Sequence, residues 1–167
     1  GYANNKEVKS HKDKSLNEFD KSLNQVLKNL AKSVAADGEG SSKFVTIKVE
    51  KCKTEDDAKK ICFSIANSPL VKSAIAGEDP NWGRVIMGIG KSGEKISPEK
   101  IEIKFGELKV AEKGKISEDY NEEKLKEYMK WDSIEIEVNL NAGSGVHTVY
   151  TCDFTHDYID INADYRN

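Results

Sequence analysis

From Ser15 onward the apolar residues Leu16, Phe19, Leu23, Val26, Leu27, Leu30 and Val34 recur at spacings of three and four. That period predicts one amphipathic helix whose apolar stripe must pack on something. Gly38 and Gly40 end it and flank Glu39. From Phe44 to Glu50 the pattern changes to alternation, with Val45, Ile47 and Val49 on one side and Thr46 and Lys48 on the other, the period of a half-buried strand. Thr54 stands three positions before Asp57 in a capping-box pattern. Ala58, Ile61, Cys62, Ile65 and Ala66 then supply the buried stripe of a second helix, which Pro69 ends or bends.

Past the segment GEDPNWGR, the run Val85, Ile86, Met87 and Ile89 is too short for periodicity to decide. A helix starting near Asn81 is favoured. Ile101, Ile103 and Phe105 alternate with Glu102 and Lys104, Gly106 turns the chain, and Leu108 and Val110 continue, a hairpin closed by Lys113 and Gly114. A short helix from Glu122 to Lys130 precedes Ile134, Ile136, Val138 and Leu140 at strict alternate positions. After a turn from Asn141 to Gly145, Val146 to Phe154 supplies the returning strand. Tyr158, Ile159, Ile161 and Tyr165 predict a final strand or a docked tail. The fold class is α/β in the broad sense, mixed α+β, with mixed sheets packed against helices. Residues 1–14, rich in Lys, Asn and Ser, read as a mobile lead-in, and residues 15–167 as one globular unit.

The bulk chemistry narrows the function classes. The 167 residues carry 26 Lys and Arg against 29 Asp and Glu, and a net charge of -3 offers no field to gather nucleic acid or anionic lipid. With 37% hydrophobic and 33% charged residues the chain reads as soluble and folded, and no apolar stretch approaches the roughly 20 residues of a membrane span. Gly1 opens the chain without Met or a signal-peptide core, so the N-terminus reads as cut or engineered. Cys52, Cys62 and Cys152, an odd number without paired spacing, argue against a disulfide framework or a zinc cluster and for a reducing cytoplasm. His11, His147 and His156 are scattered, so no metal is expected.

Several local patterns draw attention without settling anything. Gly90, Lys91 and Ser92 mimic the end of a phosphate-binding loop, but Val85 stands where that loop needs Gly. Cys152 and His156 are four apart, a nucleophile and base on paper that strand geometry argues against. Arg84 and Lys72 are able to bind a substrate carboxylate, although most such cations are solvated or structural. Trp82, in Asp79-Pro80-Asn81-Trp82-Gly83, reads as a packing anchor in a rigid turn. Glu39 presents a carboxylate where the flanking glycines let a ligand approach the backbone.

Taken together, DGEGSSK at Asp37 to Lys43, NSPLVKSAIAGEDPNWGR at Asn67 to Arg84 and INADYRN at Ile161 to Asn167 resemble, in order and spacing, the ornithine acetyltransferases. The run YTCDFTHDYIDINADY from Tyr150 to Tyr165 strengthens that resemblance. It implies a self-cleaving, N-terminal-nucleophile-type fold of arginine biosynthesis, made as one precursor that cuts itself before a threonine. That threonine would take an acetyl group from N-acetylornithine and pass it to glutamate, and some members also accept acetyl-CoA, with no other cofactor. The resemblance carries Glu39 and Asn162 across as substrate contacts. At Asn167 the family commonly has threonine, which puts that contact in doubt.

Gly1 stands at the start, neither the family's cleavage-site threonine nor the sequence that usually follows it is matched, and the resemblance puts the oxyanion-stabilising threonine and glycine upstream too. The resemblance therefore implies part of the second chain, inactive alone, partnered by the first chain in a hetero-oligomer such as a heterotetramer. Two other readings stay open: a self-processing amidase or aminopeptidase of similar fold, and a non-catalytic module that binds an amino acid or a partner chain.

Overall fold

Val45, Ile47 and Val49 become the buried side of a central strand in the computed structural model, which describes residues 2 and 4–164. Tyr165 and Asn167 lie outside the described residues. The strands are β1 (Phe44–Cys52), β2 (Glu102–Phe105), β3 (Leu108–Glu112), β4 (Lys115–Ile116), β5 (Ser133–Asn139) and β6 (Gly145–Cys152). The helices are α1 (Asn17–Ala36), α2 (Glu55–Ala66), α3 (Pro69–Ala76), α4 (Trp82–Lys91), α5 (Glu122–Met129) and α6 (His156–Ala163). The chain divides into two compact units between Val34 and Ala35, inside α1. The boundary read from composition, after residue 14, falls where a single 3-10 turn, Lys14–Leu16, leads into that helix.

In the first unit the period of α1 is as expected, but no residue of the helix is buried. Phe19, Leu23, Val26, Leu27 and Leu30 are all exposed. In the second unit the six strands form one mixed sheet in the order β4-β3-β2-β5-β1-β6. β1 runs parallel to β5 and antiparallel to β6, while β2 is antiparallel to β5 and β3. Val45, Ile47 and Val49 lie beside Ile134, Ile136 and Val138 in register, so one face of the sheet is a continuous apolar surface. Each such side chain contributes about 1.5–3 kcal/mol on full burial. The opposite face carries charge. There Lys48 pairs with Glu50 at 2.6 Å and Glu137 at 3.0 Å, and Lys104 reaches Glu137 at 3.2 Å.

Ala58, Ile61, Cys62, Ile65 and Ala66 of α2 are buried as the stripe requires, and Thr54 caps the helix by accepting from the Asp57 amide at 3.1 Å. α2 packs on β1 and β6 and against α4. Burial raises the Cys62 thiol to about 12 and the Cys52 thiol to about 11, so both stay protonated at neutral pH. Pro69 neither bends nor merely ends α2. It occupies the first turn of α3 behind the N-cap Ser68, where its missing N–H is no loss. α4 begins after Asn81 as expected, with the Asn81 side chain accepting from the Arg84 amide at 3.1 Å. Gly106, at φ +55, supplies the first central residue of the two-residue β2–β3 turn, as in a II′ hairpin.

Two expectations change. The strand after Gly145 does return antiparallel, but against β1 and not against β5. Having paired parallel with β1, the chain leaves β5 across the end of β1, where Ala142 and Gly143 both donate to the Lys51 carbonyl, and reaches the far edge of β1. The segment after Phe154 is the helix α6 and not a strand, and of the two alternatives it is the docked tail, its start seated on the Gly40 turn. Thr155 caps it by accepting from the Asp157 amide, and Tyr158 and Ile161 fall three apart, a helical spacing. Tyr158, Ile159 and Ile161 remain 41% to 54% exposed.

Candidate functional site

The motif DGEGSSK folds into a turn between α1 and β1 that presents Glu39 at its tip. Ser41 N–H closes the turn on the Gly38 carbonyl at 2.9 Å. Gly40 sits at φ +70, the third position of a four-residue turn, where a type II turn requires a positive φ. A Cβ on Gly40 would lie 2.5 Å from the Tyr158 nitrogen, and one on Gly38 would lie 2.6 Å from Cys152 Sγ. The two glycines thus let the turn sit flush against the end of β6 and the start of α6.

The β6–α6 corner grips this turn with two side chains. Asp153 is 2% exposed. Its Oδ1 accepts from the amides of Ser42 at 2.8 Å and Lys43 at 3.1 Å, and its Oδ2 accepts from the Ser42 hydroxyl at 2.5 Å. A buried carboxylate with three donors is stable in place, because each lost water contact is replaced by a charge-assisted hydrogen bond. Thr155, while capping α6, donates its hydroxyl to the Gly40 carbonyl. The bond ladder of Asp153 N–H to the Lys43 carbonyl at 3.2 Å completes the seam.

Beside the turn lies a cavity of about 240 Å³, lined among others by Glu39, Lys72, Cys152, Asp153, Phe154 and Tyr158. Glu39 itself is exposed, so its carboxylate is available to a ligand. Asn162 is on α6, one turn beyond Tyr158, and its Nδ2 donates to the Tyr158 carbonyl at 2.8 Å. Glu39 and Tyr158 share the cavity lining, whereas Asn162 is not part of it and its amide nitrogen is engaged by the α6 backbone. A larger hollow of about 610 Å³, with Gly106, Tyr128 and Trp131 in its lining, shares no residue with this site.

The other sequence candidates separate clearly. Arg84 donates Nη1 to the Leu70 carbonyl at 2.8 Å and to the Ser73 hydroxyl at 3.3 Å, a structural tie from α4 to α3. Trp82 is partly buried against the core, as a packing anchor should be. Gly90 and Lys91 fall at the C-terminal end of α4, the wrong end of a helix for phosphate. Cys152 closes β6 and His156 opens α6, and the thiol is approached by Lys72 Nζ at 3.7 Å. Sequence reading assigned no role to Asp153 or Thr155. Both stood within the quoted run from Tyr150 to Tyr165, but nothing local signals a partner more than a hundred residues away.

Comparison with known proteins places these features in context. The family model described as "ArgJ family" matches residues 2–167. A protein of Ruegeria pomeroyi named "Arginine biosynthesis bifunctional protein ArgJ" is 53% identical over 150 residues, covering 90% of this chain and 37% of its own length. One of the same name from Bradyrhizobium diazoefficiens is 52% identical over 155 residues, covering 93% and 38%. The crystal structure of the arginine biosynthesis bifunctional protein argJ of Bacillus halodurans superimposes with a TM-score of 0.92 at 35% identity, over 98% of this chain and 76% of that one. The chain thus spans well under half the length of these curated relatives.

Proposed function

The chain belongs to the ArgJ family, and on that premise we propose that it forms one wall of the substrate pocket of an ornithine acetyltransferase in arginine biosynthesis. In this reading an acetyl group passes from N-acetylornithine to a threonine hydroxyl contributed by another part of the enzyme, and then to the amino group of glutamate. Acetyl-CoA is a second acetyl donor open to such an enzyme. The 167 residues supply recognition and not the nucleophile, so by themselves they are expected to be inactive. Glu39 receives the ammonium group of ornithine, and Asn162 offers an amide that both donates and accepts to the amino-acid head. Asn167 belongs to the same proposal by resemblance alone. The enzyme works in the cytoplasm, assembled from the two chains of one precursor.

The observation that carries the reading is the clamped turn. The backbone that carries this carboxylate is fixed on both sides, so binding a cation costs rotamer freedom of the Glu39 side chain but no ordering of the turn. Glu39→Gln in the full-length protein tests it, since the amide keeps the shape and removes the charge. The expected outcome is a fall in kcat/KM for N-acetylornithine of at least roughly tenfold, about 1.4 kcal/mol, with an unchanged melting temperature because Glu39 is exposed. Unaltered kinetics would remove Glu39 from the pocket.

A further inference from the structure

Glu39 accounts for the positive pole of an amino-acid substrate, but such a substrate also carries a carboxylate. Lys72 is the cation on the same cavity. It is held from both directions, its amide donating to the Ser68 carbonyl at 3.0 Å in α3 and its own carbonyl accepting from the Phe154 amide at 3.3 Å. Lys72 as a residue is half-buried, and its ammonium contacts the Thr151 hydroxyl at 3.4 Å and the Cys152 sulfur at 3.7 Å.

The two contacts are a hydroxyl and a sulfur, a weak acceptor, and both distances are at the long end of the hydrogen-bond range. Among the described residues no carboxylate lies within ion-pair distance of Lys72, in contrast to Lys43, which has one, and to Lys48 and Lys60, which have two each. The Asp153 carboxylate on the same cavity is already engaged by Ser42 and Lys43. An ammonium without a carboxylate partner gains Coulomb attraction from an anion that enters the cavity beside it.

Resting on the acetyltransferase reading, we infer that Lys72 receives the substrate carboxylate across the cavity from Glu39. The pocket then reads the amino acid by its two poles, and ligands lacking the carboxylate are rejected at Lys72 and not at Glu39. This assigns Lys72 a specificity role that Arg84, tied to backbone, does not share.

The test uses N-acetylornithine and N-acetylputrescine, which differ only by the carboxylate. Binding of each to the full-length protein is measured by calorimetry for the unaltered protein, Lys72→Met and Lys72→Arg. The unaltered protein is expected to prefer N-acetylornithine at least tenfold, Lys72→Met to abolish that preference, and Lys72→Arg to keep most of it. A preference unchanged in Lys72→Met, or absent from the unaltered protein, overturns the assignment. Because the readout is binding, it stands apart from catalysis: discrimination by Lys72 without acetyl exchange in the same preparation would sink the acetyltransferase reading alone. Should Lys72→Met not fold, Lys72→Gln serves as the neutral variant with the same two outcomes.

Discussion

Replacing Asp153 with alanine is expected to cost about 3 kcal/mol of stability, because hydrogen bonds to a buried charge contribute roughly 1.5–3 kcal/mol and their loss leaves a buried donor unsatisfied. For a chain of this size that corresponds to a melting temperature lower by roughly 6–12 °C. That donor is the backbone amide of the buried Lys43, which has no rotation by which to find water. Asp153→Asn is expected to be far milder. The asparagine oxygen still accepts from both amides, and its Nδ2 donates to Ser42 Oγ, a hydroxyl that accepts as readily as it donates. Thermal denaturation of the two variants checks the claim. Equal losses would mean that charge, and not the pattern of donors, holds the turn.

Gly40→Ala is expected to be the more damaging change for activity. At φ +70 an alanine costs on the order of 1–2 kcal/mol from its own backbone. Its Cβ would also meet the Tyr158 nitrogen at 2.5 Å and the Asp157 carbonyl carbon at 2.8 Å, backbone atoms that move only if the start of α6 moves. Either the turn or the helix must shift, and each carries a proposed substrate contact, Glu39 or Asn162. Acetyl transfer is therefore expected to fall by more than the roughly tenfold assigned to loss of the Glu39 charge, with a stability loss of at least about 2 kcal/mol. Gly90→Ala is the matched control, since a Cβ there meets nothing within 4 Å and lies in a helix. It should be neutral or stabilise by up to about 1 kcal/mol.

Periodicity carried much of this fold because the elements it named bury one face each. The stripe of α2 and the alternation of β1 and β5 are local patterns, and the structure buries the residues they mark. Strand order is not local. Nothing in the run from Ile134 to Phe154 distinguishes a hairpin from a chain that steps over β1, because both bury the same alternate residues. β4, only two residues long, and α3, read as part of the Pro69 break, fall below what a pattern can resolve. α6 was obscured because its apolar residues are exposed and its decisive signal is the Thr155 cap.

The site was legible in a different measure. Glu39 stood out by its two glycines, and the structure gives them work: one is required by a positive φ and both by close approach to β6 and α6. Asp153 and Thr155 did not stand out, since an aspartate and a threonine are common and their partners are 111 and 115 positions away. Lys72 and Arg84 looked alike in the sequence. Only the fold separates them, turning one toward the carbonyl of Leu70 and placing the other on the cavity of Glu39.

The most direct measurement follows labelled acetyl from N-acetylornithine in the full-length protein, with glutamate present and coenzyme A absent. The label is expected to appear in N-acetylglutamate, with ornithine released in equal amount. Label recovered as free acetate would make the protein a hydrolase, and N-acetylornithine bound without turnover would make it a binding module; either result contradicts the acetyltransferase reading.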